Sequence, residues 1–323
     1  MAGWEQLFAS LGSPMVLAFA LGVVAALVRS DLKFPEAIYS ALAIYLLFAI
    51  GIKGGVKLGG TEFADVWKPS LAALALSGAI PVWSFFILKK IGRMNGADAG
   101  ALAAHYGSVS VATFGAALGF LGGAGVAYEP FMPALLAMME VPAIVIGIYF
   151  GRRSLGMGGG DGMGKLMHEL LTGKGIVLLV GGIAIGMLSG EKGYKQVAPF
   201  FEAPFPGILT LFLLEAGLVT GRRLGDLRAA GPFLAGFAVV MPCLHGIVGT
   251  ALGHLAGLGV GGSTLLGVLA ASASYIAAPA AMRLSLPEAN PALYLTSSLA
   301  ITFPFNITVG IPLYYGAARY LLG

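Results

Sequence analysis

Between residues 14 and 320 the sequence runs through ten apolar stretches, and most of its charged residues gather in the joints between them. In lipid, every backbone N–H and C=O must find a partner within the protein, so an apolar stretch that enters a bilayer is helical. The spans read as 14–28, 35–52, 70–88, 99–122, 131–150, 175–188, 205–220, 232–258, 263–286 and 291–320. Composition agrees, with 11% charged residues against about 25% in a soluble domain. The expected class is an all-α polytopic membrane protein with about ten transmembrane helices. Several spans fall short of the ~20 residues that a straight crossing needs, which predicts broken or shielded helices. Fifty glycines fit helices that pack backbone to backbone.

Two spans carry small, hydroxyl-rich interruptions. One is 107–113, in HYGSVSVATFGAAL; the other is 272–279, in AASASYIAAPAAMR. Proline lacks an N–H and clashes with the preceding turn. A break at membrane depth survives where it is buried in protein or lines a cavity. Each interruption is therefore either a binding site for a small ion or solute or a kink packed tightly on its neighbours.

Charge sets the expected orientation. Thirteen Lys and Arg residues follow the odd-numbered spans and six lie on the other side, which places the richer side in the cytoplasm. Both termini then face outward, and the connector 152–174 is cytoplasmic. The N-terminus lacks the basic region of a signal peptide, so the first span is expected to be retained. The basic balance, pI about 9.1, belongs to these loops and implies no nucleic-acid partner.

The two halves also resemble each other. Ser108-Val109-Ser110 falls on Ser272-Ala273-Ser274, and Pro142 falls near Pro304. LLFAIGIKGGVKL matches LFLLEAGLVTGRRL, with Gly51 on Gly217 and Gly55 on Gly221. Five spans per half is an odd number, so the second copy is inserted upside down. The expected organisation is a first repeat over 1–151, a connector over 152–174 and a second repeat over 175–323. Inverted repeats with a broken helix in each are the pattern of alternating-access transporters.

GSVSVATFGAAL with MMEVPA, then RRLGDLRAAG, HGIVG and ASASYIAAPAAMRLSLPEANPALYLTSSLAITFPFNITVGIPL, resemble the sodium-dependent bicarbonate permeases of bacteria in collinear order. The resemblance implies two inverted five-helix halves arranged as a core and a gate domain, with broken helices crossing at midplane. It implies a homotrimer in the bacterial inner membrane, elevator-like movement and Na⁺-coupled import of bicarbonate. Cyanobacterial members also bind a PII-like regulatory protein. This chain departs from the family at several positions. Tyr275 stands where the family has an aspartate in S-S-S-D-I, and Val219 where it has a glutamate. Glu140 replaces an aspartate, Lys53 a small polar residue, and the connector is shorter than in the cyanobacterial proteins.

The candidate anion contacts are Gly107, Ser108, Val109 and Ser110 at the first break, and Ser272, Ala273, Ser274, Tyr275 and Ile276 at the second. Half-helix N-termini offer free N–H groups and partial positive charge, and the serines add hydroxyls unless each bonds back to its own helix. Ser110, Glu140, Ser274 and Thr302 are the candidate Na⁺ ligands. Glu140 is an intramembrane carboxylate and by default functional, the alternative being a structural pair with Lys53. Glu215 reads the same way, with Arg222 and Arg223 within snorkelling reach. His105, just before the first break, reads as a neutral, hydrogen-bonded helix histidine that could titrate. Lys53 reads as interfacial.

Other classes find little support. GGDGMGKL at 159–166 lacks the Ser or Thr that ends a phosphate-binding loop. GGGD at 158–161 lies in the polar connector, with no second aspartate at membrane depth to complete a protease dyad. No enzyme and no bound cofactor are expected beyond Na⁺ as coupling ion. A transporter of another small anion driven by H⁺ or Na⁺, of the bile-acid symporter type, and a passive channel remain the alternatives. Asn306-Ile307-Thr308 is a formal glycosylation sequon expected to lie inside the membrane.

Overall fold

The computed structural model describes residues 12–157 and 163–323, with side chains at all of these except 163 and 226–230. The glycine run of the connector and the first residues of the chain lie outside the described residues. Helices α1 (Pro14–Leu27), α2 (Glu36–Leu58) and α3 (Phe63–Lys90) lead into the first broken pair, α4 (Gly96–Gly107) and α5 (Val111–Gly123). Next come α6 (Met132–Glu140) and α7 (Pro142–Ser154), split at Val141, and the short α8 (Met163–Leu171). The second half holds α9 (Lys174–Phe201), α10 (Phe205–Arg223), α11 (Leu227–Leu255), the broken pair α12 (Val260–Ala271) and α13 (Ala277–Ser285), and α14 (Pro291–Leu322). No strand occurs among the described residues. Among the described residues, eight spans are long and apolar enough to cross a membrane, counting α4–α5, α6–α7 and α14 as one each. The protein is thus a multi-pass helical membrane protein. Two shorter apolar helices, α1 and α12, add to the eight.

Helix pairing follows the glycines. On α2, a Cβ at Gly55 would run into the Ile183 carbonyl of α9, and one at Gly186 into the Ile52 carbonyl. On α10, a Cβ at Gly217 would run into the Phe19 carbonyl of α1, and one at Gly22 into the Leu214 carbonyl. These are backbone contacts of the small-xxx-small kind, which bring helices close where lipid offers no hydrophobic drive. The positions that align between the halves, Gly51 with Gly217 and Gly55 with Gly221, therefore do the same job in two helix pairs.

Two expectations are corrected. The second break covers only 272–276, and Pro279 is the third residue of α13. A first-turn proline gives up an N–H that has no intrahelical partner anyway, so it starts the helix instead of breaking it. The sixth span does not end near 188. It continues to Phe201 across a kink at Gly190 (φ 58°), where Glu191, Lys192 and Lys195 end the apolar run but not the helix. Within the connector, α7 runs through Ser154 and α8 occupies Met163–Leu171.

Two clasps join the broken helices to the joints of the opposite half. At the start of α4, Asp98 Oδ1 accepts the Asn290 N–H at 2.6 Å, and its other oxygen accepts from Asn95 Nδ2 at 2.6 Å. Before α6, Glu129 accepts the Gly259 N–H at the start of α12. A carboxylate on a helix-start N–H is favourable in charge and geometry. Each clasp links a broken helix of one half to the residues before the last span of the other.

Candidate functional site

The breaks meet through their backbones. The Ser110 N–H donates to Ser272 Oγ at 3.0 Å, and the Ser274 N–H donates to the His105 carbonyl at 2.9 Å. Ser108 (φ −88°, ψ 170°), Ser110 (φ −117°, ψ 114°) and Ser272 (φ −74°, ψ 161°) are extended, so each helix stops and restarts across these contacts. The carbonyls freed by the breaks find partners. Asn306 Nδ2 donates to the Ala271 carbonyl at 2.9 Å, and Ser272 Oγ to that of Leu269 at 2.9 Å. At the split between α6 and α7, Pro142 has no N–H to offer. There Ser108 Oγ donates to the Glu140 carbonyl at 2.8 Å and Ser77 Oγ to the Met139 carbonyl at 3.0 Å.

The four serines divide by what their hydroxyls do. Ser108 and Ser272 spend their hydroxyl protons on carbonyls and serve the backbone. Ser110 Oγ caps α5, accepting from the Thr113 N–H at 3.2 Å and from Thr113 Oγ1 at 3.0 Å. Ser274 Oγ accepts the Ala278 N–H of α13 at 3.3 Å. Ser110 and Ser274 thus hold the N-terminal ends of the two restarted helices, and both line a cavity of about 30 Å³ between the breaks. Val109, Tyr275, Ile276, Leu47 of α2 and Glu140 line it as well. Its volume admits about one or two waters.

Glu140 is 6% exposed, and its Oε2 has no hydrogen-bond partner. It is not paired with Lys53, contrary to that reading of the sequence. Lys53 lies at a half-exposed end of α2 and pairs with Glu202 at 2.9 Å. Six residues separate Lys53 from Leu47 on α2, about 9 Å at the helical rise. Three of the four candidate Na⁺ ligands, Ser110, Glu140 and Ser274, come together in one lining. Thr302 is not among them. It is buried between α11 and α4, donating to the Ala238 carbonyl at 2.7 Å and meeting the Tyr106 hydroxyl at 2.7 Å. Gly107 also stands behind the site, where a Cβ would strike Pro81 and Ala143. Ala273 is buried and outside the lining.

His105 is fully buried; its Nδ1 donates to the Ala101 carbonyl at 2.7 Å, and its ring stacks on Tyr294 at 4.5 Å. This is the helix-bonded arrangement expected of it. Glu215 is 7% exposed, with an unpartnered Oε2. Arg222 instead donates to the Leu32 carbonyl at 3.2 Å, so the expected snorkelling pair with Glu215 does not form through it. Glu215 lines a separate cavity of about 470 Å³ with Tyr39, Arg223, Arg283, Tyr275 and Ile276.

Helix α2 threads these spaces in order. Tyr39 faces the arginine-lined cavity, Leu47 the small one, and Ile50 and Lys53 a third cavity of about 670 Å³ that also holds Tyr128 and Glu202. The small cavity therefore sits between two larger ones that are rimmed by opposite ends of the same helix. Chemically, two helix starts supply N–H groups suited to an oxyanion, and a buried carboxylate with two serine hydroxyls supplies hard oxygens for a small cation.

Asn306 was not foreseen as part of the site. It is fully buried, as the position of the sequon implied, and its side chain holds the end of α12 from a stretch of widened helical turns, Asn306–Gly310. A polar residue at membrane depth was the available signal. Among known families, the model described as the Na⁺-dependent bicarbonate transporter superfamily matches residues 14–319, nearly the whole chain. No curated protein matches the chain.

Proposed function

The chain belongs to the Na⁺-dependent bicarbonate transporter superfamily, and we propose that it imports bicarbonate with Na⁺ by alternating access across a bacterial inner membrane. The observation that carries this reading is the small cavity at the meeting of the two breaks, with Glu140 unpartnered in its wall. The starts of α5 and α13, where Ser110 Oγ and Ser274 Oγ each accept a helix N–H, bind the anion. The Glu140 carboxylate and the same two hydroxyls bind Na⁺. Holding both ions at one place lets each favour the other, since the cation offsets the charge of the anion where water is excluded.

The matched glycine pairs and the two clasps support an inverted repeat. In that reading the paired helices α1–α10 and α2–α9 form a gate, and the crossed broken helices form a core that moves against it. The larger cavities serve as the two entrances, and the arginine-lined one faces the cytoplasm by the distribution of basic residues. The test is uptake of ¹⁴C-bicarbonate by proteoliposomes with and without an inward Na⁺ gradient. Gradient-driven uptake supports the reading; uptake indifferent to Na⁺ but driven by a proton gradient gives the cation role to H⁺.

A further inference from the structure

The central cavity is too small for bicarbonate as it stands, and one of its walls is thin. Tyr275 and Ile276 line both the small cavity and the arginine-lined one of about 470 Å³. Toward the lysine-lined cavity no lining residue is shared. Tyr275 is positioned to be the moving part of that thin wall. It follows directly on the extended residues of the second break and precedes α13, which starts at Ala277. Its buried hydroxyl makes no hydrogen bond of full geometry and has Ser110 as a polar neighbour, so turning the side chain gives up one weak polar contact. Its ring leans edge-on against Phe303 at 5.4 Å, and Phe303 in turn leans against Phe19 of α1 at 5.6 Å.

The two breaks are not equally fixed. The first restarts under two bonds to Ser110 Oγ, at 3.2 and 3.0 Å, whereas the second restarts under one bond to Ser274 Oγ, at 3.3 Å. The side chain that separates the cavities thus belongs to the looser break.

We propose that Tyr275 is the gate residue that sets what the central cavity can hold. With its ring against Phe303, the cavity takes a bare cation or a water. When the ring swings toward Arg223 and Arg283, the small cavity and the arginine-lined one merge, and a planar oxyanion passes between them. The ring is the barrier, and the hydroxyl is dispensable to closure. This deepens the transport reading by naming the residue that opens its central site.

The test uses a reporter that does not depend on transport. Leu47 lines the small cavity on the side of α2, and Cys243 is the sole cysteine. The Leu47→Cys variant in a Cys243→Ser background is exposed to 2-aminoethyl methanethiosulfonate, as the full-length protein in detergent, and the labelling rate is measured. A closed site that opens about 1–10% of the time labels at least about tenfold faster once Tyr275→Ala removes the ring. Tyr275→Phe keeps the ring and labels within about twofold of the parent, because the closed population is unchanged. Should Tyr275→Ala fail to fold, Tyr275→Val keeps an apolar contact with Phe303 and still shortens the wall. A folded Ala or Val variant that labels at the parent rate overturns the proposal, as does a Phe variant that labels as fast as Ala. If labelling accelerates while no uptake of bicarbonate is seen, the gate stands and the substrate assignment falls.

Discussion

Removing the hydroxyl at Ser110 should cost clearly more stability than removing it at Ser274, although both line the same cavity. Ser110 is 4% exposed, and its Oγ holds two Thr113 groups, the N–H at 3.2 Å and the hydroxyl at 3.0 Å. A lost N-cap bond costs about 1 kcal/mol, and a second buried bond of ordinary strength adds about 1 kcal/mol. The Ser110→Ala variant is therefore expected to lose about 2 kcal/mol. Ser274 Oγ accepts a single N–H at 3.3 Å, near the limit of useful geometry, so Ser274→Ala should lose about 0.5 kcal/mol. The assay is equilibrium unfolding of the purified protein in mixed micelles of increasing dodecyl sulfate content, followed by tryptophan fluorescence. Equal losses for the two variants, or a larger loss at Ser274, would refute the claim that the second break is the looser. The same serines should be alike in transport, where each replacement removes a ligand and lowers uptake.

Three further outcomes follow from the packing. Gly186→Val should prevent folding or helix pairing, because its Cβ strikes the Ile52 carbonyl; Gly78→Ala meets nothing within 4 Å and should be silent in thermal stability and expression. Thr302→Val should destabilise the protein by about 1–3 kcal/mol, the cost of leaving buried partners unmet, while leaving the Na⁺ dependence of uptake in place, since Thr302 lies outside the cavity lining. Asp98→Ala and Glu129→Ala, which open the two clasps, should each lower the unfolding midpoint. The loss should be about 1–2 kcal/mol for Asp98→Ala, whose charge-assisted bonds are partly buried, and about 1 kcal/mol or less for Glu129→Ala, whose bond is exposed, and a double mutant should show the two losses adding.

The spans were legible because lipid enforces helix wherever apolar chain is long, and both breaks showed as paired serines among small residues. Their meeting through Ser110 and Ser272 was not legible, since contact between residues 162 apart leaves no local trace. Pro279 misled because proline breaks a helix interior yet suits its first turn, and the sequence alone did not say where α13 began. The sixth span was cut short because its last turns are charged; the pairing of Lys57 with Glu191 at 2.7 Å and of Lys53 with Glu202 holds that end to α2. This second pair also explains why Lys53 does not reach Glu140. Thr302, a candidate ligand by sequence, stands apart because its hydroxyl serves the α11 backbone. Glu140 was legible because an intramembrane carboxylate is costly wherever it lies.

The measurement that bears most directly on the account is bicarbonate uptake by proteoliposomes under an inward Na⁺ gradient, for the parent protein and for Glu140→Gln side by side. The gradient is expected to drive uptake by the parent, and the glutamine variant, folded by the unfolding assay above, is expected to lose the Na⁺-dependent part. Uptake by the variant that still follows the Na⁺ gradient at the parent rate would contradict a cation site at Glu140.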